Sequence, residues 1–433
     1  MNAVWCTVSA LGCVAFLLGC GGSTPPPPGD GAAGEAGDVG DAADASPAGD
    51  ATDAPVCTGG AEAPLPRGDA VGVVDPVSGA LYVFGGDVGP TVNCIPAPAF
   101  QDDSWRYDPG CDRWRRLPGD LHPSARSRSA WALDARRRRL VLFGGRYRRG
   151  GTGNYSLYRD VWALDLATEH WEELQTTGAA PSARANAVAV YDSEADEFVV
   201  HGGNTSVNGA AFTPRGDAFA LNLETLAWRS VAASGPPARL FHAAAARGRT
   251  MVLVGGGDER AFQGPFLRDA WSLDLSAGTW SRLALSGETA FLGGRISAAL
   301  VPDPGGDGYV LLGGHDDGAL GNRNDVLGLS ATGAVRILRN GDALRRAGMG
   351  FCNFPADFTD ADLEAPERRS AFVVGVDTAR RRALVYGGKT DCGLAGDVWA
   401  VNLVDGAWTL LRGTQEGLSC VRSGRMACTS LCQ

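Results

Sequence analysis

Leu81-Tyr-Val-Phe-Gly85-Gly86 decides the reading, because a stretch like it returns five more times. Leu140-Val-Leu-Phe-Gly144-Gly145 and Phe198-Val-Val-His-Gly202-Gly203 come next. Met251-Val-Leu-Val-Gly255-Gly256, Tyr309-Val-Leu-Leu-Gly313-Gly314 and Ala383-Leu-Val-Tyr-Gly387-Gly388 complete the series. Each is a short apolar run of strand-forming residues that stops at a glycine pair. Runs of this length at intervals of 53 to 74 residues are the mark of a repeat architecture.

Three further marks keep step with the pairs. An Arg precedes each one: Arg67, Arg126, Arg184, Arg239, Arg295 and Arg369. An Asp with an aromatic two residues on follows, as in Asp103-Ser-Trp105, Asp160-Val-Trp162, Asp217-Ala-Phe219, Asp269-Ala-Trp271 and Asp397-Val-Trp399. Asp325-Val-Leu327 is a degraded copy. A later Trp closes the unit at Trp114, Trp171, Trp228, Trp280 and Trp408, with Val335 in that place in the fifth repeat.

Each repeat therefore supplies four short strands: Arg-led, glycine-ended, Asp-aromatic and Trp-led. The strand after each Arg is rich in Ala, Ser and Val, which suits a crowded innermost position. The glycine pair lets backbones approach where a side chain would clash. One such sheet cannot bury both faces, so Trp rows must pack against the neighbouring sheet. Closing the series into a ring removes the open edges. The joint pattern resembles the kelch repeat of β-propellers. The resemblance covers residues 67–411 and implies an all-β, six-bladed β-propeller with four strands per blade. Residues 412–433 are expected to form a Cys-containing tail. Arg422 begins a stretch like another first strand, which either pairs in the first blade, competing with residues 67–75, or packs as a covered tail.

The chain has 433 residues, 44% of them hydrophobic, enough to bury a large core. Its 61 Gly lack a strict triplet period, which excludes collagen. Val8 to Leu18 is apolar but too short to span a membrane and fits a signal-peptide core. Leu17-Leu18-Gly19-Cys20 resembles the lipobox of bacterial lipoproteins, although residues 1–10 carry no Lys or Arg. That resemblance implies a signal peptide over 1–19 and a lipidated Cys20. Residues 20–66 hold Pro25 to Pro28 and eight acids with no base, the composition of a disordered tether. The tether carries most of the net charge of −10, so the folded part is nearly neutral. Neither part suits a nucleic-acid binder.

Eight Cys remain after the leader and Cys20, an even number that argues for disulfides in an exported chain. Cys57, Cys94, Cys352, Cys392 and Cys420 are placed on the face of the two-to-three and four-to-one loops. Cys352 and Cys392, both in loops of the sixth repeat, are the expected pair. Cys111, in a three-to-four turn on the opposite face, is expected to join Cys428 or Cys432.

Catalytic signals are sparse. The resemblance brings in sugar oxidases whose copper site needs two Tyr, two His and a Cys–Tyr crosslink. Of His122, His170, His201, His242 and His315, only His242 and His315 could share the loop face, so no catalytic residue, metal or cofactor is expected. There is no G-x-S-x-G elbow and no phosphate loop. The Arg series could form an anion-binding funnel at the channel mouth. Six Asp stand at the matching register, so structural pairing is the expected role. Loops on that face differ between repeats, and unequal loops on a regular scaffold carry binding. Arg146, Tyr147, Arg148, Tyr155, Tyr158, Arg260, His315 and Phe354 are the candidate ligand contacts, for Tyr and Arg suit carbohydrate stacking or protein contact.

The expectation is thus a monomeric, envelope-exposed, lipid-anchored binding module, placed at the outer membrane, for a protein or glycan partner. It would touch the membrane only through its anchor and would not bind nucleic acid. The alternative is a carbohydrate-active enzyme, a sugar isomerase or oxidase of the kelch type.

Overall fold

In each repeat the run that ends in the glycine pair becomes the central, most deeply buried strand. Leu81–Phe84, Arg139–Phe143 and Glu197–His201 are buried at every position. Covered on both faces, they read as continuous apolar runs rather than as alternation. The computed structural model describes residues 57, 62–89, 91–92, 95–119, 121–232, 235–316, 321–345, 359–391 and 393–414. Cys20, the tether up to residue 56, Phe354, the Cys352–Cys392 pair and the tail beyond 414 lie outside them.

Four antiparallel strands from the first repeat make one sheet: Val71–Val74, Leu81–Phe84, Ser104–Asp108 and Arg113–Arg116. The second repeat repeats this order with Ala130–Asp134, Arg139–Phe143, Val161–Asp165 and Trp171–Glu173. The fourth does so with Ala243–Arg247, Thr250–Val254, Ala270–Asp274 and Thr279–Arg282. The sixth uses Val373–Asp377, Arg382–Tyr386, Val398–Asn402 and Trp408–Arg412. The third repeat gains a fifth strand, since Thr177–Gly178 joins Ala227–Ala232 in parallel.

The expectation of six four-stranded blades is corrected to five at the fifth repeat. Five repeats form discrete sheets, but this one lies within a nine-stranded sheet. Its second and third strands, Tyr309–Asp316 and Asn322–Leu329, are eight residues each and keep pairing beyond the glycine pair. Arg323 then pairs with Arg369, which links the sheet to the short hairpin strands Lys389–Thr390 and Gly393–Leu394 of the sixth repeat.

Packing between sheets follows the Trp rows. Trp171 stacks edge-on against Phe84 with ring centroids 4.9 Å apart, and Trp228 meets Phe143 at 5.5 Å. Trp114 meets Tyr386 at 4.8 Å, so the first repeat rests on the sixth as the second rests on the first. The innermost strands adjoin in chain order, and Val373–Asp377 returns to Val71–Val74. Val71–Val74 pairs with Leu81–Phe84 at the inner side of the first sheet, and the stretch from Arg422 lies outside the described residues.

The disulfide found joins Cys57 to Cys111, not Cys111 to Cys428 or Cys432. This also corrects the face given to Cys57. The lead-in segment runs along the seam between first and sixth repeats, where the Tyr386 hydroxyl donates to the Leu65 carbonyl at 3.0 Å. Its path carries Cys57 to the three-to-four turn of the first repeat. Arg412 crosses the same seam and donates to the Asp112 carbonyl at 2.7 Å.

Candidate functional site at the channel mouth

The six register arginines are buried, and each pairs with the Asp of its own repeat. The nitrogen–oxygen distances are 2.5 Å for Arg67–Asp103, 2.7 Å for Arg126–Asp160 and 2.5 Å for Arg184–Asp217. They are 2.8 Å for Arg239–Asp269, 2.9 Å for Arg295–Asp325 and 2.5 Å for Arg369–Asp397. Every one also donates to the carbonyl of its first pair glycine, Gly85, Gly144, Gly202, Gly255, Gly313 and Gly387. Four of the Asp accept a second donor from the indole of Trp105, Trp162, Trp271 or Trp399. Among the described residues, none of these six guanidinium groups has a buried nitrogen without a partner.

Two residues beyond each Arg the backbone turns left-handed. Asp69, Arg128, Asn186, Phe241, Ser297 and Ala371 all have φ between 52° and 59°. Such a conformation costs a residue with a side chain roughly 1–2 kcal/mol and persists only where its surroundings enforce it. Here a closed circle of amide hydrogen bonds does so. Asp69 donates to Ala371, Ala371 to Ser297, Ser297 to Phe241, Phe241 to Asn186, Asn186 to Arg128 and Arg128 back to Asp69, at 2.8 to 3.2 Å. The circle frames one end of a central cavity of about 480 Å³ and presents one side chain from each repeat to it.

One side of this mouth is cationic. Arg128 Nε lies 3.0 Å from the buried Asp69 carboxylate, and Lys389 Nζ lies 2.5 Å from it. Burial works to raise the Asp69 pKa, but the charges of Arg128, Lys389 and Arg146 outweigh it and hold the carboxyl well below the usual range. Burial, helped by the like charge of Arg128, pulls Arg146 down to about 9. Tyr155 is buried between two guanidinium groups, Arg146 at 4.1 Å and Arg148 at 4.4 Å from its ring centroid. Arg128 Nη1, Arg146 Nε and both polar side-chain atoms of Asn186 are buried with no hydrogen-bond partner among the described residues. Buried polar groups are normally satisfied, and each unmade bond costs about 1–3 kcal/mol. The other side is aromatic: Phe241 packs on Phe262 and Phe212, and Arg128 sits 4.8 Å over the Phe241 ring.

The profile of the KLHDC2/KLHL20/DRC7 Kelch-repeats domain matches residues 138–332, across the second to fifth repeats. This is a kelch-type β-propeller. The solved structure titled "Structure of YjhT" superimposes with a TM-score of 0.54 at 16% identity, over 81% of this chain and 99% of that one, which speaks for the fold alone. The kelch chain is 28% identical over 213 residues to acyl-CoA-binding domain-containing protein 4 of Arabidopsis thaliana, covering 48% of itself and 30% of that protein. It is 29% identical over 269 residues to multiple epidermal growth factor-like domains protein 8 of Mus musculus, covering 60% of itself and 9% of that protein. Kelch domain-containing protein 2 of Bos taurus is 27% identical over 234 residues, 49% of this chain and 55% of that one. The first of these relatives are thus much longer than the part the propeller matches.

The propeller gathers some of the sequence-derived candidates and scatters others. Arg146 and Tyr147 form a short strand paired with Ser156–Leu157, which brings Arg146, Arg148 and Tyr155 together. Phe100 joins them, 5.8 Å from Tyr147 and 6.3 Å from Tyr155. Tyr158 lies 4.0 Å over the guanidinium of Arg126 and so covers a structural ion pair. Arg260 is exposed and turns to its neighbour Asp258 at 3.0 Å. His315 is half-buried with its ring 6.3 Å from Phe266. His242 lines the central cavity and is buried, with its Nε2 3.0 Å from His201 Nδ1, in the seam of the third and fourth repeats. Among the described residues no group of three or more His, Cys, Asp or Glu is placed to hold a metal ion. Sequence reasoning missed Asp69, Arg128 and Asn186. The one signal available was their common register, two residues after the Arg series.

Proposed function

We propose that this kelch propeller is a binding module that takes an anionic group of a protein or glycan partner at the channel mouth. The observation that carries the reading is the set of buried, unpartnered donors on Arg128, Arg146 and Asn186. Two guanidinium groups crowd one another there, and an incoming anion would supply the missing acceptors and relieve the like charge. The aromatic cluster Phe212, Phe241 and Phe262 would give the partner a stacking surface beside that anion. The contact surface therefore centres on the mouth and extends over Arg148 and Tyr147, with Tyr155 and Tyr158 supporting it from below. We also read the four strands of the fifth repeat as a blade of the same wheel, which gives the mouth one residue per blade. The chain would be exported and held at the cell envelope, outer membrane, by a lipid on Cys20.

Peptide and glycan arrays probed with the whole chain test the reading. Arg128→Gln together with Asn186→Asp should weaken capture of any anionic partner at least tenfold. The unfolding midpoint should fall as well, because Arg128 also holds the buried Asp69 carboxylate, so capture is compared at a temperature where circular dichroism shows both proteins folded. A partner captured equally well by both proteins would refute the mouth as the site.

A further inference from the structure

We propose that the channel below the mouth binds an amphiphilic carboxylate, with its charged end on Arg128 and Asn186 and its apolar chain inside. The inference rests on the reading of the mouth as a binding site and adds the chemical class of its ligand. The cavity is about 480 Å³, within the range of small-molecule pockets. Trp131, Leu133, Ala189, Ala244, Val374 and Val376 line it below the backbone circle. Trp131 is fixed in that wall because its indole donates to the Gly72 carbonyl of the first repeat at 2.9 Å. Among the residues lining the cavity, Asp69 and Arg128 carry the full charges, and both belong to the mouth.

The arrangement therefore has one polar end and apolar walls. A sugar or a second anion placed below the mouth would lose its water against walls that are mainly apolar, with few polar side chains such as Ser193 and Thr378 to replace it. An alkyl or aryl chain would gain by leaving water. At the mouth, Asn186 offers a buried, unpartnered amide, and Arg128 a buried Nη1 without a hydrogen-bond partner while its Nε holds the Asp69 carboxylate. The Asp69 carboxylate nearby does not repel an anion outright, because Arg128, Lys389 and Arg146 surround it. A carboxylate fits this pair better than a hydroxyl, since its two oxygens can accept from both.

Titration calorimetry of the full chain with butanoate, hexanoate, octanoate and 1-octanol tests the proposal. Binding should be one to one, with affinity rising about fourfold for each added CH₂. The alcohol should bind at least tenfold more weakly than octanoate. Asn186→Asp, a substitution the left-handed backbone accepts readily, should lower octanoate affinity at least tenfold. Trp131→Ala should flatten the chain-length series. Absence of octanoate binding at millimolar concentration overturns the proposal. So does an affinity that ignores chain length, or one that neither variant alters. If octanoate fails while partner capture still depends on Arg128 and Asn186, the channel ligand falls and the mouth stands. If octanoate binds as described while capture is indifferent to those residues, it is the partner reading that falls.

Discussion

The amide of Gly388 donates to the carbonyl of Arg67 at 2.8 Å, where the last repeat meets the first. The same bond joins Gly86 to Arg126, Gly145 to Arg184, Gly203 to Arg239 and Gly256 to Arg295, each at 2.9 Å. The closing seam is therefore made of the same chemistry as the internal joints. It needs no strand borrowed from the other end of the chain.

That joint predicts an unusual sensitivity at one glycine. Gly388 has φ of +109°, and an added Cβ would lie 2.9 Å from the Phe372 side chain and 3.0 Å from the Ser370 carbonyl. Gly388→Ala should destabilise by about 2 kcal/mol or more through backbone strain and overpacking. Gly413, with nothing within 4 Å of such a Cβ, is the control, and Gly413→Ala should be near neutral. Urea unfolding of both variants decides it; equal midpoints would mean that the backbone at Gly388, packed on Phe372 and Ser370 of its own repeat, is not held this tightly.

The buried ion pairs make a second prediction, because Arg239 is fully buried while its partner Asp269 accepts from both Arg239 and Trp271. Asp269→Asn leaves a buried guanidinium without its counter-charge and should cost about 3–5 kcal/mol in urea unfolding. Replacing both, as Arg239→Met with Asp269→Leu, should cost less than the single change. An anion funnel would behave otherwise: removing Asp269 would strengthen sulfate binding near the mouth, and a gain of that kind would argue against the structural role.

What the sequence reveals here depends on what each position demands. The glycine pair, the Arg, its Asp and the Trp recur because backbone contact, charge pairing and packing in every repeat call for one residue type. The mouth positions call for a backbone conformation only. Asp69, Arg128, Asn186, Phe241, Ser297 and Ala371 share a φ and a hydrogen-bond circle but no side-chain chemistry, so no motif marks them. The extended pairing of the fifth repeat was hidden for a related reason, since its Gly313-Gly314 pair looks like the other five while the strands around it run on to Asp316. The Cys57–Cys111 link depends on the path of a lead-in segment that has no repeat to compare with.

That disulfide carries a third prediction. It closes a stretch of 54 residues and ties the lead-in segment to the first repeat. Loop-closure entropy for this length amounts to about 4 kcal/mol as an upper figure. Cys111→Ser should lower stability by roughly 2–4 kcal/mol. It should also expose the lead-in near Cys57 to proteases before the sheets are cut. Limited proteolysis read by intact mass checks this, and unchanged cleavage kinetics would show that the segment is held by the Leu65 and Arg67 contacts alone.

The last prediction concerns acid and follows from a substitution within the core pattern. His201 occupies the place held by Phe84, Phe143 and Tyr386 in other repeats, and like them it packs against the Trp of the next sheet, Trp280 at 5.0 Å. His201 and His242 share one hydrogen bond, and their other ring nitrogens are buried without partners among the described residues. Burial, with the charges of Arg239 and Arg184 only partly offset by Asp217, pulls the His201 pKa down to about 3. Burial, His201 and Arg239 lower His242 well below its usual value. Both rings are therefore neutral in the folded chain, while the unfolded chain protonates them near pH 6.5. The unfolded state then binds more protons, so stability is full above about pH 6.5 and falls as the pH drops toward the folded values. Between pH 6.5 and 5 the loss should be about 1–2 kcal/mol per histidine. The register carboxylates such as Asp269, whose pKa is lowered, hold their stabilisation until the pH falls below about 4, so the two windows separate. His201→Phe should remove about half of the loss between pH 6.5 and 5, since His242 remains, and should lower stability at pH 7.5 by about 1–3 kcal/mol, since the buried His242 ring loses its hydrogen-bond partner. Urea midpoints of both proteins at pH 7.5, 6 and 5 make the comparison, and an identical slope for the two would show that the acid response arises elsewhere.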